Sequence, residues 1–305
     1  MENPYIIVVG SSNLDFYSYV EKHPKIRETI EGKELITGFG GKGANQAVMM
    51  SNLGGKVEMI TRVGDDIFGD QIKSNYESFG VLTSSLIKTE KTPTGIALVS
   101  VNSNGQNRIV IHSGANGRLC KEDVEKCEEK FKQAKAVVTQ LETPVEAALS
   151  AMKLGRKYNA ITILNPAPAY HDLPSELFQN SDIVCPNETE AEIITGQHIE
   201  TIEDATNAGK IILEMGAKNV VVTLGSKGCV WVTSSFSRYV PTQVVKVVDS
   251  TGSGDAFVGS FTYSLAIGNP ILESLQFAVK VATMSVTKKG TQMSFPKKSE
   301  LDGLI

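Results

Sequence analysis

Apolar residues in this chain come in short unbroken runs, separated by longer stretches in which apolar and polar positions mix. Tyr5 to Val9, closed by Gly10, reads as a buried first strand. Runs of the same kind recur at Val57 to Val63, Ala136 to Leu141, Ala160 to Leu164, Ile183 to Cys185 and Val220 to Leu224. Val145 to Lys157 and Thr201 to Met215 are amphipathic or Ala-rich and predict helices. A strand that is apolar at every position is one covered on both faces. The alternation therefore predicts an α/β fold with a central, mostly parallel sheet flanked by helices. Two segments break the rhythm. One runs from about Asp15 to Gly38. The other runs from about Thr94 to His112, where GIALVSVNSNGQNRIVIH predicts a hairpin turning at Asn104-Gly105. Strands inserted in this way would form a small separate β-sheet, either a lid over a ligand cleft or a plain surface hairpin. No repeat or linker divides the 305 residues, so the expectation is one domain over 1–305 with lid segments at about 15–38 and 94–112.

Composition narrows the function without naming it. Lys and Arg number 30 against 34 Asp and Glu, a net charge of -4, which gives the chain as a whole no electrostatic reason to bind nucleic acid or an anionic membrane. The 41% hydrophobic content supplies ample core and excludes disorder as the main state. No apolar run is long enough to span a bilayer, and the start, MENPYIIVVG, has no basic n-region of a secretory signal. Cys120, Cys127, Cys185 and Cys229 form no CxxC pair and read as free, buried thiols in a reducing cytoplasm. His23, His112, His171 and His198 have no metal-ligand spacing, so no zinc site is expected.

The densest chemistry lies in VVDSTGSGDAFVGSF. A strand ending at Val248 is expected to run into Asp249, Thr251, Gly252, Ser253, Gly254 and Asp255, and then into a helix. Glycines at a helix N-terminus leave backbone N–H groups free for an anion. Asp255, in the first turn, is poorly placed to bind phosphate itself but well placed to take a proton from a hydroxyl attacking it. A capped glycine turn is the plainer alternative. GFGGKGANQAV places Lys42, Asn45 and Gln46 behind a glycine loop suited to a small polyol. PNETEAE offers Asn187, Glu188 and Glu190 after a strand, hard oxygen donors suited to Mg²⁺ or simply an acidic helix start. VVVTLGSKGCVWV places a turn, Gly225-Ser226-Lys227-Gly228, between two strands, either a plain hairpin or the wall of a nucleotide site.

Together these motifs resemble the ribokinase family, within the larger pfkB group of carbohydrate and nucleoside kinases. GSSNLD, GGKGANQA, GANG, QLETP, NETE, TLGSKG, DSTGSGDAF and SVTKKGTQMSFP occur in the family's order over essentially the whole chain. The resemblance implies transfer of phosphate from ATP to the 5-hydroxyl of D-ribose. It implies sugar contacts from Asn13, Asp15, Gly41, Lys42, Asn45 and Glu142, with Asp255 as base and Gly252, Ser253 and Gly254 as an anion hole. It implies ATP contacts at Asn187, the Thr223, Gly225, Ser226, Lys227, Gly228 segment and Gly254, and Mg²⁺ organised by Asn187 and Glu190. It further implies an activating K⁺ held, mainly through carbonyls, at Asp249, Thr251, Ser285, Lys288, Gly290 and Ser294. A homodimer joined through the lid is implied as well. Three departures stand out: Val279 replaces a polar residue near the adenine, the loop reads Gly-Ser-Gly rather than Gly-Ala-Gly, and Asp15 to Thr37 diverges. A kinase for another sugar, a deoxy sugar or a nucleoside, and a non-catalytic sugar-binding protein on the same scaffold, are the alternatives.

Overall fold

The computed structural model describes residues 3–104 and 106–301. In chain order its strands are β1 (Tyr5–Val9), β2 (Asn13–Tyr19), β3 (Glu34–Gly40), β4 (Lys56–Gly64), β5 (Leu86–Thr89), β6 (Gly95–Val101), β7 (Asn107–His112), β8 (Ala136–Thr139), β9 (Ile161–Leu164), β10 (Ile183–Val184), β11 (Asn219–Thr223), β12 (Cys229–Val232) and β13 (Ser237–Val240). The helices are α1 (Lys42–Asn52), α2 (Ile67–Ser78), α3 (Lys121–Glu125), α4 (Glu128–Phe131), α5 (Val145–Lys157), α6 (Ser175–Gln179), α7 (Glu188–Thr195), α8 (Ile202–Glu214), α9 (Ser253–Ala266) and α10 (Ile271–Ser285).

Nine strands form the central sheet in the order β13-β12-β11-β10-β9-β8-β1-β4-β5. Pairing is parallel from β11 to β5 and antiparallel at the β11-β12-β13 end. The continuous apolar pattern of β1 has a direct cause. Ile6 and Val8 enter the core on the face covered by α1, α9 and α10, while Tyr5, Ile7 and Val9 enter the core on the face covered by α5 and α8. Each such side chain, fully buried, contributes on the order of 1.5–3 kcal/mol. α9 is buried at eleven of fourteen positions. Gly259 lets it approach α1 closely: a Cβ there would lie 2.9 Å from Met49 Cβ. That approach brings the first turns of α1 and α9 side by side.

The two inserted segments pair with each other. β3-β2-β6-β7 make a separate four-stranded sheet, with β2 parallel to β6 and the other pairs antiparallel. The expected lid strands are therefore present, although the first begins at Asn13 and its partner ends at Gly40, each two residues beyond the expected limits. Of the expected hairpin turn, Asn104 donates its N–H to Asn102 Oδ1 at 3.0 Å, and Gly105 lies outside the described residues.

Three expectations need correction. No strand ends at Val248. The chain leaves the sheet at Pro241, which has no N–H to donate to a ladder, and the next residues follow an irregular path with Val244 99% and Val247 58% exposed. Val248 and Asp249 instead donate their N–H groups to Val286 O at the end of α10. The strand expected to reach Leu141 stops at Thr139, which frees Gln140 to turn into the interior. Of the four free cysteines only Cys185 and Cys229 are buried; Cys120 and Cys127 are half-buried.

Candidate active site

The polar residues singled out in the sequence gather beyond the carboxyl ends of β1, β8, β9, β10 and β11, where β8 and β4 flank β1 and the strand order reverses. Open α/β sheets present their ligand crevice at such a point. Asp255 is the centre, buried in the first turn of α9. Gly252 caps that helix in the left-handed region, at φ 77°, and a Cβ on it would come within 2.4 Å of Thr291 Cγ2. Gly254 faces open space. Ser253 N donates to Ser250 O at 3.2 Å, while the N–H groups of Gly252, Gly254 and Asp255 have no partner among the described residues. Among the described residues the amides of Gly252, Gly254 and Asp255 are thus free, and that of Ser253 is engaged.

On one side of Asp255 lies a polar cluster. Asp255 Oδ2 accepts from Asn45 Nδ2 at 2.8 Å and Oδ1 from Gln46 Nε2 at 3.1 Å. Burial pushes the Asp255 carboxyl up, opposed by the Lys42 ammonium and these two amide donors, with the Glu142 charge adding to the rise. Burial acts to lower the Lys42 ammonium, but Asp255, Glu142 and Glu190 outweigh it and hold it above its ordinary value. Glu142 Oε2 accepts from Ser11 Oγ at 2.5 Å and from Lys42 N at 2.9 Å, so it pins the start of α1 to β1. Gly41, at φ 90°, makes the turn into α1, and a Cβ there would meet Ser11 O at 2.9 Å. Asn13 is buried and fixed by Asn116, whose Nδ2 donates to Asn13 Oδ1 at 2.7 Å. Asp15 is buried against Gly40, where a Cβ would lie 2.2 Å from its Oδ2. Its one side-chain donor among the described residues is Tyr17 OH, at 3.2 Å. Burial raises Asp15 to about 7; the Tyr17 hydrogen bond works against this, and the charges of Glu142 and Asp255 add to it.

On the other side, a hollow of about 190 Å³ is lined by Lys42, Asn165, Cys185, Asn187, Glu190, Thr223, Gly252, Gly254, Asp255 and Val258. Asn187 and Glu190 form a reciprocal cap at the start of α7. Glu190 N donates to Asn187 Oδ1 at 2.8 Å, and Asn187 N donates to Glu190 Oε2 at 2.9 Å. The plainer reading of this motif as a helix start is therefore correct, and the same two residues also face the hollow. Burial raises the Glu190 carboxyl, against the Asn187 N–H and Lys42. Thr223 lines the hollow. Gly225, Ser226, Lys227 and Gly228 form the turn beyond it, with the Lys227 ammonium on Glu200 O at 3.0 Å. Val279 is buried in α10 within the apolar core.

Asp249, Thr251 and Gly290 meet behind the loop: Asp249 accepts from Thr251 N at 2.9 Å and from Gly290 N at 3.0 Å. Burial alone would raise Asp249, but these backbone donors, the Thr251 side chain and nearby Lys289 hold it below the usual carboxylate value. Ser285 closes α10, Ser294 Oγ donates to Thr291 O at 2.8 Å, and the Lys288 ammonium is 2.7 Å from Glu300. Only the Lys288 carbonyl is thus left for a cation.

This arrangement sets a buried carboxylate, amides free among the described residues and a polar cluster on one cleft. The family model described as pfkB family carbohydrate kinase matches residues 3–298. The chain belongs to the pfkB family of carbohydrate kinases. This kinase is 41% identical over 303 residues to a mouse ribokinase, covering 97% of this chain and 93% of that protein. It is 40% identical over 291 residues to a Salmonella typhi deoxyribokinase, covering 95% of each. Its fold matches the structure of Arabidopsis thaliana ribokinase complexed with ribose and ATP at a TM-score of 0.92, with 32% identity and 99% of both chains covered. The ribokinase-like resemblance read from the motifs is borne out, as are the enzyme class and the α/β fold with a small second sheet.

Several participants escaped the sequence reading. Ser11, Gln140, Asn165 and Gln292 touch the site residues only through the fold, and Asn116 reaches Asn13 across 103 positions. Like Ser11, Asn116, Gln140 and Gln292, Gln46 stands inside a recognised motif, yet nothing local reveals that its amide points at Asp255.

Proposed function

We propose that this kinase transfers the terminal phosphoryl group of ATP to the 5-hydroxyl of D-ribose. The observation that carries the reading is one buried carboxylate, Asp255, lying between unpartnered helix amides and the cluster of Asn13, Asp15, Lys42, Asn45 and Glu142. Asn13, Asp15, Gly41, Lys42, Asn45 and Glu142 hold the sugar hydroxyls and direct one of them at Asp255. The new bond joins that hydroxyl oxygen to the γ-phosphorus while the bond to the β-phosphate oxygen breaks. The hydroxyl proton passes to Asp255, and ADP leaves. The amides of Gly252, Gly254 and Asp255 stabilise charge on the transferring group; one such donor is typically worth about 2.7–4 kcal/mol. Asn187 and Thr223, with the Gly225 to Gly228 turn, hold the nucleotide.

Mg²⁺ fits the Asn187 and Glu190 pair. Both offer hard oxygens, and among the described residues no three Asp, Glu, His or Cys side chains form a closed metal cage. Such an ion keeps waters and phosphate oxygens as its other ligands, and when bound it neutralises phosphate charge. K⁺ would be held by Asp249 with the carbonyls of Thr251, Ser285, Lys288, Gly290 and Ser294. Each Asp249 oxygen accepts one N–H and keeps a lone pair, and the carboxylate ties the anion-binding loop to the 285–294 segment. Comparing rates in K⁺ and in a bulky organic cation at equal ionic strength tests this: equal rates remove the site. A second copy of the chain would cover the lid's open edge β7, making a homodimer. The unpaired cysteines fit a reducing cytoplasm.

The second reading, 2-deoxyribose as substrate, is favoured by the 40% identity to the Salmonella typhi deoxyribokinase. Buried Asp15 argues for the fully hydroxylated sugar, because a site built to bond a hydroxyl penalises the analogue that lacks it. ADP release across ribose, 2-deoxyribose, hexoses and nucleosides separates the two. Ribose is expected to show the highest kcat/KM; a higher value for 2-deoxyribose or a nucleoside reassigns the substrate.

A further inference from the structure

Two chains of amides, buried apart from half-buried Asn75, end on the two oxygens of Asp255. In the first chain Asn165 Nδ2 donates to the Cys185 carbonyl at 2.9 Å, which leaves Asn165 Oδ1 to accept from Gln46 Nε2 at 3.0 Å. Gln46 Oε1 in turn accepts from Gln140 Nε2 at 2.6 Å, so the NH₂ end of Gln46 must face Asp255 Oδ1. In the second chain Asn75 Nδ2 donates to Gln292 Oε1 at 2.9 Å, and Gln292 Nε2 donates to Asn45 Oδ1 at 3.0 Å. This turns the NH₂ end of Asn45 toward Asp255 Oδ2. A carbonyl can only accept, so the Cys185 carbonyl sets the polarity of the first chain. Gln46 and Gln140 are fully buried, and Gln292, Asn45 and Asn165 nearly so. Water therefore does not compete for the bonds among these five, and a flipped Gln46 or Asn45 would set oxygen against a carboxylate oxygen. Gln292 opens the short helix Gln292–Ser294, next to the segment that meets Asp249, and joins it to the base through one side chain, Asn45.

We propose that Gln46 and Gln292 are positioning residues that hold Asp255 as an oriented anion, ready to take the hydroxyl proton. The proposal rests on Asp255 being the base. Both amide chains present only donors to it, so they favour the ionised over the protonated carboxyl. The charged groups around Asp255 are Lys42 from α1, Glu142 after β8, Asp15 from β2 and Glu190 from α7. Of these only Lys42 helps keep Asp255 ionised and the three carboxylates oppose it, so the two amide donors add to the Lys42 charge against burial.

The test is the pH dependence of the single-turnover rate at saturating ribose and Mg-ATP for native enzyme, Gln46→Met, Gln292→Met and Asp255→Asn. Removing a donor from the ionised form raises the base's pKa, so the acid limb should move to higher pH. For Gln46→Met the expected move is about one pH unit, which is about tenfold in rate below the limb, with near-native rates above it. Gln292→Met should move the limb in the same direction by less, because it acts through Asn45, and it decides alone if Gln46→Met does not fold. A rate lowered equally at every pH, or an unmoved limb in Gln292→Met, overturns the proposal. Near-native turnover by Asp255→Asn would instead show that the base itself is misassigned.

Discussion

β1 is buried at all five of its positions, whereas β7, at the rim of the smaller sheet, is exposed at all six. Both are rich in Ile and Val. What separates them is cover: β1 has helices on both faces and a strand on each side, while β7 has one neighbour, β6, and no layer above it. The chemistry divides along the same line. Asp255, Asn45, Gln46 and Glu142 sit on helices and loops rooted in the covered sheet; the bonds from Asn45 and Gln46 to Asp255 are buried, and half-buried Glu142 is held by Ser11 and Lys42. Asp15 sits on β2 of the open sheet, with Tyr17 as its single side-chain donor among the described residues. On the proposed reading, the covered sheet carries the proton acceptor, Asp255, and the open sheet carries a sugar contact, Asp15, with a single side-chain donor among the described residues.

The sharpest break of this division is Asp255→Asn. It should lower kcat by at least about 10²–10⁴-fold, the usual share of a general base, while calorimetry still finds ribose and ATP bound. Intact turnover would move the base elsewhere. Glu142→Ala comes next. It removes a carboxylate that holds Ser11 and the Lys42 N–H and is proposed to bind the sugar, with charge-assisted bonds worth about 1.5–3 kcal/mol each. The ribose KM should rise at least tenfold more than the ATP KM, about 1.4 kcal/mol by the usual conversion; equal changes in both would place Glu142 outside the sugar site.

A smaller effect probes the open sheet by pH. Asp15 is lifted to about 7 by burial, so it gains a proton as pH falls through that value and then has fewer lone pairs for sugar hydroxyls. The native ribose KM should therefore rise below about pH 7 and settle above it, and Asp15→Asn should flatten the profile. A flat native profile between pH 6 and 8 contradicts the assignment. The smallest effect on turnover is expected at the rim. Val110→Lys puts a charge on β7, a common natural guard of open edges. Light scattering should show a dimer for the native chain and a monomer for the variant, with kcat little changed.

How far the sequence reveals this division depends on where each interaction is encoded. Strands covered on both faces announce themselves as unbroken apolar runs, so β1, β4, β8, β9 and β11 are legible. The same rule misleads at Val244 to Val248, an apolar run with no neighbouring strand, and overlooks β13, whose Ser-Arg-Tyr-Val alternates at an open edge. Asp255 is legible because its role follows from glycines next to it in the chain. Gln292 is not, because its partner Asn45 is 247 residues away and no spacing rule reaches that far. Asn187 and Glu190 lie between these cases: the motif encodes the helix cap, and only the fold turns that cap toward the cleft.

The division is tested most directly by kcat at saturating ribose and Mg-ATP for Asp15→Asn measured beside Asp255→Asn. Asp15→Asn is expected to keep most of the native kcat once ribose is raised enough to fill the site, while Asp255→Asn stays inactive at any ribose concentration. If Asp15→Asn lost as much kcat as Asp255→Asn, or if added ribose restored Asp255→Asn, the separation of proton acceptor and sugar reader between the two sheets would be wrong.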